Sequence, residues 1–211
     1  MDTRNDSPAR HEARAVEALQ ADGTAGISPI LVTGGTGALG SLVVRRLRNA
    51  GYAVRVLSRH SRTSEEAGIE FVTGDLAKGE GIELAVAGVA IIMHCAGNAT
   101  GNEEQTRNLV QVASRVGARH LVYISVVGAD RIPVGSAIDR ALAGYFTSKL
   151  AAERVVTESG VPWTTLRATQ FYDLLLLLAR RVAKLPVVPV PAGFRFQPID
   201  TGEYARFAAV R

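Results

Sequence analysis

The stretch Pro29-Ile30-Leu31-Val32-Thr33-Gly34-Gly35-Thr36-Gly37-Ala38-Leu39-Gly40 decides the fold. A short apolar run opens it, glycines interrupt it, and Leu39, Leu42, Val43 and Leu47 then recur at helical spacing, so it reads as strand, tight turn, helix. Asn49-Ala50-Gly51 stops that helix, and Tyr52 to Leu57 is a second strand that closes on the polar pair Ser58-Arg59. Working outward, Ile69 to Thr73, Val89 to Cys95, His120 to Ser125 and Pro162 to Arg167 read as further strands. Helical patterns lie at Ile82 to Ala87, Glu103 to Val116, Ala141 to Ser159, Phe171 to Lys184 and Tyr204 to Val210, and Pro186, Pro189 and Pro191 break regular structure between the last two. Strands that alternate with helices need crossover connections, which demand a mainly parallel sheet covered on both faces. The expectation is a single α/β domain on a doubly wound parallel sheet, residues 29–211, preceded by a mobile N-terminal leader over residues 1–28.

The glycines of the turn stand at G-x-x-G-x-x-G spacing, and each has a mechanical role. Gly34 permits the tight turn, Gly37 removes a side chain where backbone must approach a ligand, and Gly40 lets the helix pack closely on the strand. Backbone N–H groups of Thr36, Gly37, Ala38, Leu39 and Gly40, at the positive end of a helix dipole, suit a pyrophosphate. In a Rossmann-like unit the residue ending the second strand selects the dinucleotide. A carboxylate there would accept from the adenosine ribose and repel a 2′-phosphate, whereas Ser58-Arg59 offers a hydroxyl and a guanidinium, so NADP(H) is favoured over NAD(H). Arg62 is placed to assist and Arg55 to face away. Asp75-Leu76 after the third strand would flank the adenine, and Ala96-Gly97 after the fourth would lie against the ribose.

Composition narrows the remaining classes. The net charge of +4 is dispersed along the chain without a block of like charges or interleaved aromatics, which argues against nucleic acid as a partner. No run of about 18 apolar residues exists to span a bilayer, and the leucines at 174–178 are followed by Arg180, Arg181 and Lys184. The first 28 residues mix acids and arginines and contain no apolar core of a signal peptide. One cysteine, Cys95, in an apolar run suits a reducing compartment, and the expectation is cytoplasmic. His94 reads as a structural histidine, no metal site is expected, and Trp163 reads as core. Gln170, Phe171 and Tyr172 lie where a substrate pocket would open after the sixth strand. A small-molecule substrate is the partner expected, and no pattern fixes an oligomeric state.

Together these motifs resemble the short-chain dehydrogenase/reductase superfamily, in its atypical branch of NmrA-like, NAD(P)H-binding, nucleoside-diphosphate-sugar epimerase-like proteins. The resemblance covers about Ile30 to Ala209. It rests on the T-G-G-T-G-x-L-G turn, Gly74-Asp75-Leu76, His94 to Gly97, Leu121 to Ser125, and Tyr145-Phe146-Thr147-Ser148-Lys149 running into Leu150 to Glu153. The resemblance implies a reductive site of Ser125, Tyr145 and Lys149. Tyr145 would act as general acid/base, Ser125 would orient the substrate oxygen, and Lys149 would bind the nicotinamide ribose. Positions i and i+4 share a helix face, so the Lys149 ammonium would also lower the phenol pKa of Tyr145. Two features depart from the branch: a long interval from Ser125 to Tyr145, and a chain that stops at Arg211, which implies an incomplete C-terminal substrate region. The functional expectation is an NADP(H)-dependent oxidoreductase acting on a small carbonyl, alcohol or quinone-like substrate. A non-catalytic NAD(P)-binding redox sensor or regulator, and a sugar-nucleotide epimerase or dehydratase, stay open beside it.

Overall fold

A computed structural model describes residues 28–63, 66–98, 101–130, 137–172, 175–176, 179–180, 183–184 and 197–208, the side chains of 137–143 excepted. The expected leader falls outside these residues except for Ser28, as do the three prolines 186, 189 and 191. The elements run β1 (Ile30–Thr33), α1 (Ala38–Asn49), β2 (Val54–Ser58), β3 (Ile69–Thr73), α2 (Ile82–Val86), β4 (Ile91–His94), α3 (Asn102–Arg115), β5 (His120–Val126), α4 (Ala137–Thr157), β6 (Trp163–Ala168) and α5 (Thr201–Ala208). The strands form one sheet in the order β3-β2-β1-β4-β5-β6, every neighbouring pair parallel. The order reverses between β1 and β4, so their C-terminal ends diverge into a crevice, the place where a doubly wound sheet accepts a ligand.

Two apolar layers hold the sheet. Leu31, Ile92, Leu121 and Tyr123 pack on one face with Leu109, Ala113, Ala152 and Val156 of α3 and α4. Ile30, Val32, Met93, Val122 and Ile124 pack on the other with Val43 and Leu47 of α1 and Tyr204 and Ala208 of α5. Alternate residues of β1 thus enter opposite layers and all four are buried, which is why the strand reads as an unbroken apolar run.

Boundaries moved where polar side chains act. The last helix begins at Thr201, ahead of the expected Tyr204, because Asp200 caps it: its Oδ1 accepts from the Glu203 N–H at 2.8 Å and its carbonyl from the Tyr204 N–H at 2.9 Å. Arg55 faces away from the crevice, donating to Glu70 at 2.8 Å and to the carbonyls of Ala85 and Ala87 at the end of α2. Residues 172, 175, 176, 179 and 180 of the expected helix Phe171 to Lys184 are helical. Phe171 is half-buried, edge-on to Tyr204 with ring centroids 5.4 Å apart, packs against the core and bridges Ile199. Among the described residues no helix is long and apolar enough to cross a membrane, and no group of three or more His, Cys, Asp or Glu is placed to hold a metal ion.

Candidate active site

A cleft of about 280 Å³ opens over the C-terminal ends of β1 to β4. Gly34, Thr36, Gly37, Ser58, Arg59, Asp75, Leu76, Ala96 and Gly97 line it, so nine of the sequence-derived cofactor residues come together from four separate loops. Ala38, Leu39 and Gly40 form the first turn of α1 behind it; Leu39 is buried in the core.

The glycines divide by what they would meet. Gly34 has φ +69°, and a Cβ there would lie 2.6 Å from the Ala96 nitrogen, so the first turn and the β4 exit touch backbone to backbone. A Cβ on Gly40 would lie 2.1 Å from the Gly34 carbonyl oxygen. Gly37 differs: its Cβ would approach only the Gly34 oxygen, at 3.3 Å. That contact is tight but needs a shift of only a few tenths of an ångström, and Gly37 stands at the N-cap of α1 with no side-chain cap and no acidic residue in the first turn. An open helix N-terminus with a missing side chain fits a pyrophosphate. Gly37→Ala is therefore expected to change thermal stability little, by about 1 kcal/mol or less, while weakening dinucleotide affinity roughly tenfold or more. Parallel thermal melts and fluorescence titrations check it, and equal loss in both would make Gly37 a packing residue.

At the end of β2, Ser58 is buried, its hydroxyl donating to the His60 carbonyl at 2.9 Å. It shapes the turn, while Arg59 beside it is exposed and lines the cleft. Asp75 Oδ1 accepts from the Ala77 N–H at 2.9 Å and so folds its own loop. Asn108 of α3, absent from the sequence reading, donates to the Leu76 carbonyl at 2.8 Å and pins that loop to the helix.

A buried relay runs beneath the cleft. The Ala96 N–H donates to Thr33 Oγ1 at 3.4 Å, and Thr33 lies 2.7 Å from His94 Nδ1. His94 Nε2 lies 3.1 Å from Thr106 Oγ1, which donates to the Asn102 carbonyl at 2.7 Å. Both ends are of fixed polarity, a backbone N–H and a carbonyl, so the direction is set throughout: Thr33 donates to Nδ1 and Nε2–H donates to Thr106. Burial, with Lys149 nearby, pushes His94 down to about 3, which keeps the imidazole neutral. Its role is structural. Asn102 continues the chain, exchanging hydrogen bonds with the Asn98 backbone at 2.9 Å and donating to Ser148 of α4 at 3.0 Å. These residues were invisible as a set in the sequence, since they meet only across strand ends and helix starts.

Lys149, next to Ser148, is buried, and its Nζ donates to the Ile124 carbonyl at 3.0 Å. The ammonium sits 5.0 Å above the Tyr123 ring centre, and a Cβ on Gly97 would lie 2.9 Å from Nζ. Lys149 thus lies directly behind Gly97, a residue of the cleft lining. Burial pulls it down to about 8, against the raising influence of Cys95 and Glu153. Ser125, one residue beyond the carbonyl that Lys149 holds, is buried and its Oγ has no hydrogen-bond partner among the described residues. Tyr145 is half-buried, its ring packed with Val126, Ala129 and Phe146. The expected depression of its phenol by Lys149 is not what the structure shows: burial raises Tyr145, and the lysine's hydrogen bond goes to the Ile124 carbonyl instead. The phenol is held protonated at neutral pH, the form of an acid.

Comparison with known proteins places this arrangement. The NAD(P)H-binding domain family matches residues 34–174. A (4-alkanoyl-5-oxo-2,5-dihydrofuran-3-yl)methyl phosphate reductase from Streptomyces griseus is 32% identical over 161 residues, 75% of this chain and 54% of that protein. The chain thus spans about half the length of this relative. An Escherichia coli NADPH-dependent quinone oxidoreductase solved with NADPH superposes with a TM-score of 0.71 at 23% identity, covering 85% of this chain and 63% of that one. A Thermus thermophilus UDP-glucose 4-epimerase solved with NAD superposes with a TM-score of 0.65 at 25% identity, covering 84% and 72%. With the glycine turn, the crevice and the strand order all in agreement, the chain belongs to the NAD(P)H-binding family of the atypical, NmrA-like short-chain dehydrogenase/reductase superfamily.

Proposed function

We propose that the protein is an NADPH-dependent oxidoreductase acting on a small carbonyl, alcohol or quinone-like substrate. The observation that carries this reading is the pairing at the end of β5, where a buried ammonium is anchored to the Ile124 carbonyl and the next side chain, Ser125, holds a hydroxyl with no partner among the described residues. A buried hydroxyl without a partner costs free energy unless a ligand completes it, and a substrate oxygen is the group that would. The dinucleotide would be held by the α1 N-terminus at Gly37, by Ala96 and Gly97, and by Lys149 through the nicotinamide ribose. When bound it supplies or accepts hydride. Tyr145 donates or withdraws the proton at the substrate oxygen, and Ser125 orients that oxygen. The named reductase among the relatives and the NADPH-bound fold neighbour support the reaction class.

The test is NADPH oxidation across a panel of aldehydes, ketones and quinones. Turnover supports the reading; tight binding with no turnover on any member leaves a cofactor-binding protein without this activity. The preference for NADPH rests on Arg59, with Arg62 exposed nearby. Arg59→Ala is expected to weaken NADPH about 10- to 100-fold, the loss of a charge-assisted phosphate hydrogen bond worth roughly 1.5–3 kcal/mol, and to leave NADH almost unchanged. Equal weakening of both would remove Arg59 from 2′-phosphate recognition.

A further inference from the structure

Glu153 stands four residues beyond Lys149 on α4, as Lys149 stands four beyond Tyr145, so the three side chains share one face of the helix. Lys149 Nζ donates to the Ile124 carbonyl of β5. One turn on, Glu153 accepts from Arg167 of β6 through both carboxylate oxygens, at 3.0 Å from Nε and 2.6 Å from Nη2. Arg167 is the register partner of Ser125, so this pair comes beside the hydroxyl read above as orienting the substrate. Asp130, beyond the end of β5, holds the guanidinium from its other side, 3.2 Å from Nη1. Glu153 is only 7% exposed. A carboxylate buried that deeply is costly even when paired, and an apolar contact would fasten helix to strand at least as well. The charge therefore has a use beyond fastening.

The groups around Lys149 show what that use is. His94 and Cys95 of β4, Tyr123 of β5, and Tyr145 and Glu153 of α4 face it, with Arg167 of β6 behind Glu153. His94 is neutral, burial pushes the Cys95 thiol up to about 12, and burial raises both phenols. Glu153 is thus the one anion among the described groups that face the ammonium. We propose that Glu153 is a positioning residue of the reductive site: held by Arg167, it sets α4 against the ends of β5 and β6 and supplies the negative charge that keeps the Lys149 ammonium beside Tyr145 and Ser125. The inference rests on the reading of Lys149 as the cation that holds the dinucleotide.

The experiment follows Lys149 itself, in protein free of dinucleotide, by NMR of the Cε resonances of isotope-labelled lysine across pH. Of the three lysines in the chain only Lys149 is buried, Lys78 and Lys184 being exposed. In the unaltered protein its midpoint is expected at about 8. Glu153→Gln keeps the shape and an acceptor for Arg167 but removes the charge, so the midpoint should move down by on the order of one pH unit. Arg167→Gln leaves the Glu153 charge unneutralised and should move it up. The pH at which NADPH-dependent turnover falls should move with the midpoint in each variant. A clamp with a structural role alone would lower stability in both variants without moving the midpoint in opposite directions. A midpoint that stays put in either variant that folds, or a turnover profile that stays put while the midpoint moves, would overturn the inference. Failure of the unaltered protein to bind NADPH would instead overturn the cofactor reading, and the lysine titration is read without the dinucleotide, so the two failures are told apart.

Discussion

Tyr145→Phe is expected to lower NADPH-dependent turnover by about 10²- to 10⁴-fold, the usual span for losing a positioned general acid, with NADPH affinity changed by less than about twofold. The substitution is clean because the ring carries the packing: it lies against Val126, Ala129 and Phe146, 5.5 Å from the Phe146 ring centre, and phenylalanine keeps those contacts. Burial raises the phenol above its ordinary value, so the acid form is populated at neutral pH. Lys149 adds a pH dependence of definite sign. Buried, it is pulled down to about 8, and above that pH it sheds the positive charge that would grip the ribose and steady a developing phenolate. The rate of reduction should therefore stay level through neutral pH and fall as pH rises through about 8. A rate that climbs through that range, or a Phe variant with unimpaired turnover, would take the tyrosine and lysine out of the mechanism.

Gly34→Ala is expected to cost about 2–5 kcal/mol of stability. Two terms combine: a left-handed φ that costs an L-residue roughly 1–2 kcal/mol, and overpacking that costs roughly 1–3 kcal/mol. The overlap cannot relax through a side-chain rotation, because the atom 2.6 Å from the new Cβ is the backbone nitrogen of Ala96. Ala96 in turn hangs on the Thr33 to Asn102 relay, so a shift there propagates into both the cofactor turn and the start of α3. Gly51→Ala is the control. Its φ is +88°, yet a Cβ there would meet nothing within 4 Å, so only the conformational cost of about 1 kcal/mol remains. In thermal melts Gly34→Ala should fall several degrees below Gly51→Ala, and matching melting temperatures would show that backbone contact at the turn is unimportant.

Much of the fold was legible because the information is local. The apolar β1, the glycines and the α1 periodicity lie within twenty residues of one another, and the alternation that follows permits little besides a parallel, doubly wound sheet. Helix ends were less legible where one side chain sets the boundary, as Asp200 does for α5. At the site, the glycine positions and Arg59 could be read from their place after a strand. Asn102, Gln105, Thr106 and Asn108 could not, since a helix from Glu103 to Val116 gives no hint that its first turns abut two loops and a neighbouring helix.

By itself, then, the sequence determined the order of elements, the class of sheet and the phosphate-binding turn, because backbone conformation and hydrophobic period are properties of neighbouring residues. What only the tertiary structure decided was the chemical state of the side chains: that His94 is neutral and relaying, that Ser58 is spent on its own turn, that Lys149 is anchored to Ile124 while Tyr145 stays protonated, and that Gln105 lines the cleft. Those states depend on burial and on hydrogen-bond partners up to 63 positions away along the chain, and such partners are chosen by packing, not by spacing in the sequence.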